Sequence, residues 1–366
     1  MKDIYEELKE LTSIPAVSGH EDTIIGLLQQ RLAPLADHTE IDRVGNLTAT
    51  FEGRSDDEPS LVVFAHVDEV GMVVRKIDEN GFIRIERIGG VYEKALPGQF
   101  LDVHAIDGSG YITGVVGTKS HHLTSPEEKY IVPPRLEMYV DVGCSSREEV
   151  MAQGIDIGSI ITYHPHFLKN GSHRISSKSI DNRVGVYLLL RLAEFLSGNR
   201  PNGKVHVVMS VQEEFNVRGV LPVFEKLRPN ASICLDITPA CDTPDLNMLY
   251  DIALGKGPAI TLMNTYGKGP IGGLMPNPKL TRYLQNTAKK LGIDIQREVI
   301  SGVITDDSFS VLTGSEGVAM AHLSVPLRYT HSPIETVDVR DIEYAAVLLN
   351  AAVAGFDKEL DLRRGV

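Results

Sequence analysis

Val205-His206-Val207-Val208-Met209-Ser210-Val211-Gln212-Glu213-Glu214 is a run of β-branched and apolar residues that stops on two adjacent carboxylates. The run reads as a buried strand. An acidic dipeptide taken alone opens a solvent-facing turn, but an ionised carboxylate beside a core strand is costly unless it is solvated, paired or bound to a cation. Neighbouring residues of a regular strand point to opposite faces, so Glu213 and Glu214 can serve one site only if the strand ends near Gln212 and the backbone turns there.

Working outward, other apolar strands also end on unexplained polar groups. Leu61–Ala65 (LVVFA) runs into His66 and Asp68, and Ala231–Ile237 (ASICLDI) carries Asp236 near its end. In α/β sheets, functional groups gather at the carboxyl ends of such strands. A strand over Gly317–Val325 precedes Pro326–Ser332 (PLRYTHS), which holds His331. Ser179-Ile180-Asp181-Asn182-Arg183 opens the apolar helix Val184–Leu196, where Asp181 suits an N-cap and still has an oxygen to share with a ligand. Further helices are expected over Ile4–Leu11, Glu21–Leu35, Val217–Leu227, Asn277–Leu291 and Val339–Ala354, which makes the fold class α/β.

Between Gly71 and His166 the texture changes to short alternating strands, Gly71–Ile77, Gly81–Arg87, Asp102–Ile106, Tyr111–Val116 and Ile160–Tyr163, separated by Gly-rich turns. A short helix near Ser146–Gln153 interrupts them. The expected organisation is therefore an α/β domain made of residues 1–70 and 167–366, split by a β-rich insert at 71–166. His121, His122, His164 and His166 in this insert lack matched acids and read as surface residues. Gly255–Pro278 reads as a loop. Its Gly267-Lys268-Gly269-Pro270-Ile271-Gly272 matches a dinucleotide fingerprint only nominally, because Pro270 and Pro276 prevent a helix from opening over a pyrophosphate. Ser301–Ser308, with Thr305-Asp306-Asp307, reads as a polar loop.

At 366 residues the chain has length for roughly two domains. The net charge of −13, with no Lys/Arg cluster, argues against nucleic acid and anionic membranes as partners. Cys144, Cys234 and Cys241 form neither a disulfide framework nor a C-x-x-C zinc site. With no signal peptide and no apolar run near 18 residues, a soluble, cytoplasmic protein is expected.

His66, Asp181, Glu213-Glu214, Asp236 and His331 thus offer two imidazoles and several carboxylates. One or two borderline-hard divalent cations, zinc foremost, would take such a set. The spacing His66-x-Asp68 suits a metal-bound imidazole oriented by a nearby carboxylate.

The ordered motifs His66-Val67-Asp68-Glu69-Val70-Gly71, Ser179-Ile180-Asp181-Asn182-Arg183, Val211-Gln212-Glu213-Glu214, Leu235-Asp236 and Arg328-Tyr329-Thr330-His331-Ser332-Pro333 resemble those of the M42 family of dinuclear metallo-aminopeptidases. The resemblance implies a peptidase domain with a central mixed β-sheet flanked by helices, and an inserted small β-barrel-like domain. It implies two divalent ions per subunit, zinc or else cobalt or manganese, with Asp181 bridging them. His66 and Asp236 would complete one ion, Glu214 and His331 the other. Glu213 would be the general base and Asp68 would orient His66. Short peptides are the implied substrates, and a homo-oligomer such as a tetrahedral dodecamer the implied assembly. Departures at Phe215-Asn216-Val217-Arg218-Gly219, Gly273-Leu274-Met275-Pro276 and Gly302-Val303-Ile304-Thr305-Asp306 fall in loops and bear on substrate preference. A related metal-dependent deacylase would share these ligands. An endoglucanase would need two carboxyls across one bond and no histidines, and the chain has no Trp to stack on sugars.

Overall fold

In a computed structural model, all residues are described except 1, 218, 247–248, 266–271, 303–304, 306–312, 315 and 366. The fold is α/β, with a twelve-stranded mixed sheet and a separate closed barrel of six strands. At the centre of the sheet lie four parallel neighbours, in the order Val205–Ser210, Leu61–His66, Ala231–Pro239 and Ala319–Arg328. Antiparallel strands flank them: Leu47–Phe51 and His38–Ile41 on one side, Glu335–Asp338, Arg174–Ser177 and Phe167–Asn170 on the other.

Strand alternation decides which way the site points. Leu61, Val63 and Ala65 join Ile233, Leu235, Val205 and Val207 in the large core beneath the helix Ile180–Gly198. Val62 and Phe64 face the other side, with Val208, Cys234, Met320 and Phe224. By the period of two, His66 extends the row of Val62 and Phe64, and Asp236 that of Cys234. The two groups therefore emerge from one face of the sheet at the carboxyl ends of parallel strands.

The barrel takes strands Gly71–Ile77, Ile83–Ile88, Tyr139–Asp141, Tyr111–Val116, Phe100–His104 and Ile160–Tyr163 in spatial order. It has its own core, including Met72, Val74, Ile85, Leu101, Val140 and Ile161. The chain leaves the sheet at His66 and returns to it at Phe167. His121, His122, His164 and His166 are exposed on it, but His164 does have an acid partner, because its Nδ1 lies 2.9 Å from Asp102 on the neighbouring barrel strand.

The expected loop Gly255–Pro278 contains a strand, Ala259–Thr265, which pairs with Gln296–Ser301 and Ala319–Arg328. Its apolar Ala259 and Ile260 are buried between those neighbours, and glycines and prolines around it masked a short strand. The helix expected over Val217–Leu227 begins only at Leu221, as Leu221–Leu227, and a separate short helix, Glu213–Asn216, precedes it. Most of the Gly267–Gly272 segment, and Asp306 and Asp307 of the expected polar loop, lie outside the described residues.

Candidate active site

The turn after Ser210 is built by side chains that take up successive backbone N–H groups. Asn46 Oδ1 accepts from Val211 at 3.1 Å and Glu21 from Gln212 at 3.0 Å. Asp68 then accepts from both Glu213 and Glu214, each at 3.0 Å. Gln212 is in the left-handed region, φ 59°, and a short helix begins at Glu213. The strand thus ends where both glutamates can turn toward one site. Gly219 completes the turn, because a Cβ there would lie 1.5 Å from the Val211 carbonyl oxygen.

Asp181 is freed by its neighbour. Asn182 Oδ1 caps the helix by accepting from Gly185 N–H at 2.9 Å, while its Nδ2 donates to the Leu235 carbonyl at 2.9 Å. The carboxylate of Asp181 consequently faces the site rather than its own helix. Its Oδ1 lies 3.4 Å from His66 Nε2, and its Oδ2 lies 3.4 Å from His331 Nε2. Asp236 Oδ1 is 3.8 Å from His66 Nε2, and Glu214 Oε2 is 3.4 Å from His331 Nε2. Glu213 Oε2 stands 3.9 Å from His66 Nε2. All the expected site residues therefore come together, in two groups joined by Asp181.

Both imidazoles are turned by carbonyls. His66 Nδ1 donates to the backbone oxygen of Asp68 at 3.1 Å, whereas the Asp68 carboxylate is 3.5 Å away and is engaged with the glutamate turn and with the Ser18 hydroxyl at 2.5 Å. His331 Nδ1 donates to the Gly90 carbonyl at 3.1 Å. A proton on Nδ1 leaves each Nε2 lone pair facing the carboxylates.

Four carboxylates, Asp181, Glu213, Glu214 and Asp236, surround two imidazoles. Burial works against ionised Asp181, yet His331 and His66 outweigh it and hold its carboxyl below the usual range. Burial raises Glu214 and Asp236 despite the opposing imidazoles. Burial alone would lower His66 and His331, but the surrounding carboxylates push both well up. Each group is poised to share positive charge, and the imidazole and carboxylate donors suit a divalent cation of the zinc type. His66, Asp181 and Glu214 have donor atoms within 4.8 Å of one another.

Other residues support the site. Glu335 accepts the N–H of Asp181 at 3.0 Å and that of His331 at 2.7 Å, one with each oxygen, so it ties the bridging residue to the far histidine. Burial, then the charge of Asp181, pushes its carboxyl well up. Lys178 donates to Glu69 at 2.5 Å, with both side chains buried, and Arg183 donates to the carbonyls of Leu11 and Ile14. The position of Glu335, four residues after His331, was a local signal. The partnership of Lys178 with Glu69 spans the whole insert, and nothing local announces it.

The model of the family described as M42 glutamyl aminopeptidase matches residues 45–348. The chain belongs to the M42 family. Among its relatives, the lysyl aminopeptidase of Pyrococcus furiosus is 33% identical, over 95% of this chain and 96% of that one. Among solved structures, the aminopeptidase APDkam598 of the archaeon Desulfurococcus kamchatkensis superposes with a TM-score of 0.91 at 35% identity, covering 99% and 98% of the two chains. The TET1 peptidase of Pyrococcus horikoshii gives 0.84 at 28% identity, covering 96% and 100%. That peptidase assembles into a tetrahedron or a large octahedral shell.

Proposed function

We propose that this M42 protein is a metal-dependent aminopeptidase that removes N-terminal residues from short peptides at a centre for two divalent cations. The observation that carries this reading is Asp181, whose two oxygens each lie 3.4 Å from a different imidazole. His66 and Asp236 would hold one cation, His331 and Glu214 the other, with Asp181 shared. The donor set favours zinc and also accommodates cobalt or manganese. What the cations supply when bound is Lewis acidity: a polarised peptide carbonyl and a water whose pKa falls towards about 7.

The remaining steps belong to the protein's own groups. Glu213, whose Oε2 stands 3.9 Å from His66 Nε2, takes the proton of the attacking water and returns it to the leaving amine. Asp68, holding the N–H groups of Glu213 and Glu214, positions that base. Asn182 and Glu335 keep Asp181 aimed at both histidines. The catalytic frame is residues 1–70 and 167–366, with 71–166 as an inserted domain.

A homo-oligomer is part of the same reading. The insert displays exposed Leu123, Tyr130, Ile131 and Leu136, an apolar surface suited to another copy, and the shell of the Pyrococcus horikoshii relative supports it. Three free cysteines favour a reducing, cytoplasmic setting. No described helix is long and apolar enough to cross a membrane.

The test is Glu213→Gln assayed on a panel of acidic, basic and apolar aminoacyl-p-nitroanilides. Metal content should stay at the wild-type level while turnover falls by roughly 10²–10⁴-fold. Wild-type protein without activity on any free N-terminus, or full turnover in the variant, would sink the assignment. The panel also identifies the preferred residue.

A further inference from the structure

The two histidines of the site are held by different parts of the molecule. His66 donates to a carbonyl two residues along its own chain, that of Asp68, within the sheet domain. His331 donates to Gly90, which follows the barrel strand Ile83–Ile88. A Cβ on Gly90 would lie 2.5 Å from His331 Nδ1 and 2.9 Å from Cε1. Beside it, Gly89 has φ +79°, and a Cβ there would lie 3.0 Å from the Glu214 carbonyl oxygen and 3.4 Å from Glu214 Cβ. One glycine pair of the insert therefore packs on both residues of a single half of the centre, and any side chain at Gly90 would displace the imidazole.

We propose that Gly89-Gly90 is a positioning element through which the barrel sets the metal affinity of the His331–Glu214 half, leaving the His66–Asp236 half independent of it. The inference rests on the two-cation reading above. The Gly90 carbonyl can only accept, so its bond requires the proton on Nδ1 and keeps Nε2 free to coordinate. Loss of such outer hydrogen bonds costs metal centres about 10–100-fold in affinity.

The experiment is calorimetric titration of zinc into chelator-stripped full-length protein. Wild type should show two binding events. Gly90→Ala should weaken one of them by about 10–100-fold and leave the other unchanged, and His331→Ala should abolish that same event. Gly110→Ala, at a barrel position with nothing within 4 Å of a new Cβ, should leave both intact. Wild-type binding in Gly90→Ala, or equal weakening of both events, overturns the proposal. A single event in wild type overturns the two-cation reading beneath it. If Gly90→Ala does not fold, solid-state NMR of ¹⁵N-histidine in the zinc-loaded wild type decides, with the His331 signal assigned by its loss in His331→Ala. A proton on Nδ1 supports the bond to Gly90, and a proton on Nε2 refutes it.

Discussion

The carboxylate of Asp68 accepts the backbone N–H of Glu213 at 3.0 Å. Its other oxygen takes the N–H of Glu214, so one buried side chain fixes the direction of both glutamates. Asp68→Asn offers only one acceptor oxygen, and its amide nitrogen would face one of the two N–H groups. The expected result is a fall in kcat of about 10–100-fold with KM little changed and bound metal retained. Steady-state kinetics paired with elemental analysis checks this. An altered KM with normal kcat would mean that Asp68 contacts substrate instead.

Removal of metal should act on stability as well as activity. Four carboxylates crowd two imidazoles, and burial leaves them without water to spread the charge. A cation bound at 100 times its dissociation constant stabilises the fold by about 2.7 kcal/mol. Treatment with a chelator should therefore abolish hydrolysis and lower the thermal midpoint, and added zinc should restore both. Calorimetry with and without chelator measures it. An unchanged midpoint after complete metal removal would show that the carboxylates are accommodated some other way.

Much of this arrangement is legible in the sequence. His66, Glu213-Glu214 and Asp236 stand out because apolar strands end on or near them. A turn near Gln212 is required if both glutamates serve one site, since neighbouring residues of a regular strand face opposite ways. Gly90 and Lys178 were not legible in the same way. Gly90 acts through a main-chain carbonyl, which any residue possesses, and Lys178 meets Glu69 across 109 positions of sequence. The strand Ala259–Thr265 was hidden because its flanking glycines and prolines give a stronger turn signal than two buried residues give a strand signal.

Acid should destabilise the protein through His206 in the central strand. This ring is buried against Thr50, its Nδ1 at 3.0 Å from the hydroxyl, and burial with the nearby Lys204 charge pushes its pKa down to about 4. The folded state keeps it neutral, while the unfolded chain takes up a proton below about 6.5. The contribution of His206 to stability is therefore complete above pH 6.5 and declines as pH falls toward 4, by on the order of 3 kcal/mol. In His206→Gln this component disappears. Urea midpoints from pH 7 to pH 4.5 should fall less steeply in the variant than in wild type. Parallel curves would show that the ring accepts a proton in place.

Lys178 and Glu69 form an ion pair with both side chains about 1% exposed, at 2.5 Å. The second oxygen of Glu69 accepts the Ala16 N–H at 3.0 Å, and the nearest other cation, Arg183, stands at 3.9 Å. The pair links the segment after His66 to the segment before Asp181, so it fixes two groups of the centre relative to each other. Lys178→Met keeps much of the volume and strands an uncompensated carboxylate in the interior. Loss of one partner of a buried pair costs about 3–5 kcal/mol. Replacing both, as Lys178→Met with Glu69→Gln, removes the stranded charge and should recover part of the loss, because the amide still offers the Ala16 N–H an acceptor. Denaturant unfolding of the single and double variants measures the difference. A double variant less stable than Lys178→Met would show that Glu69 is held as a charged group by Arg183 alone.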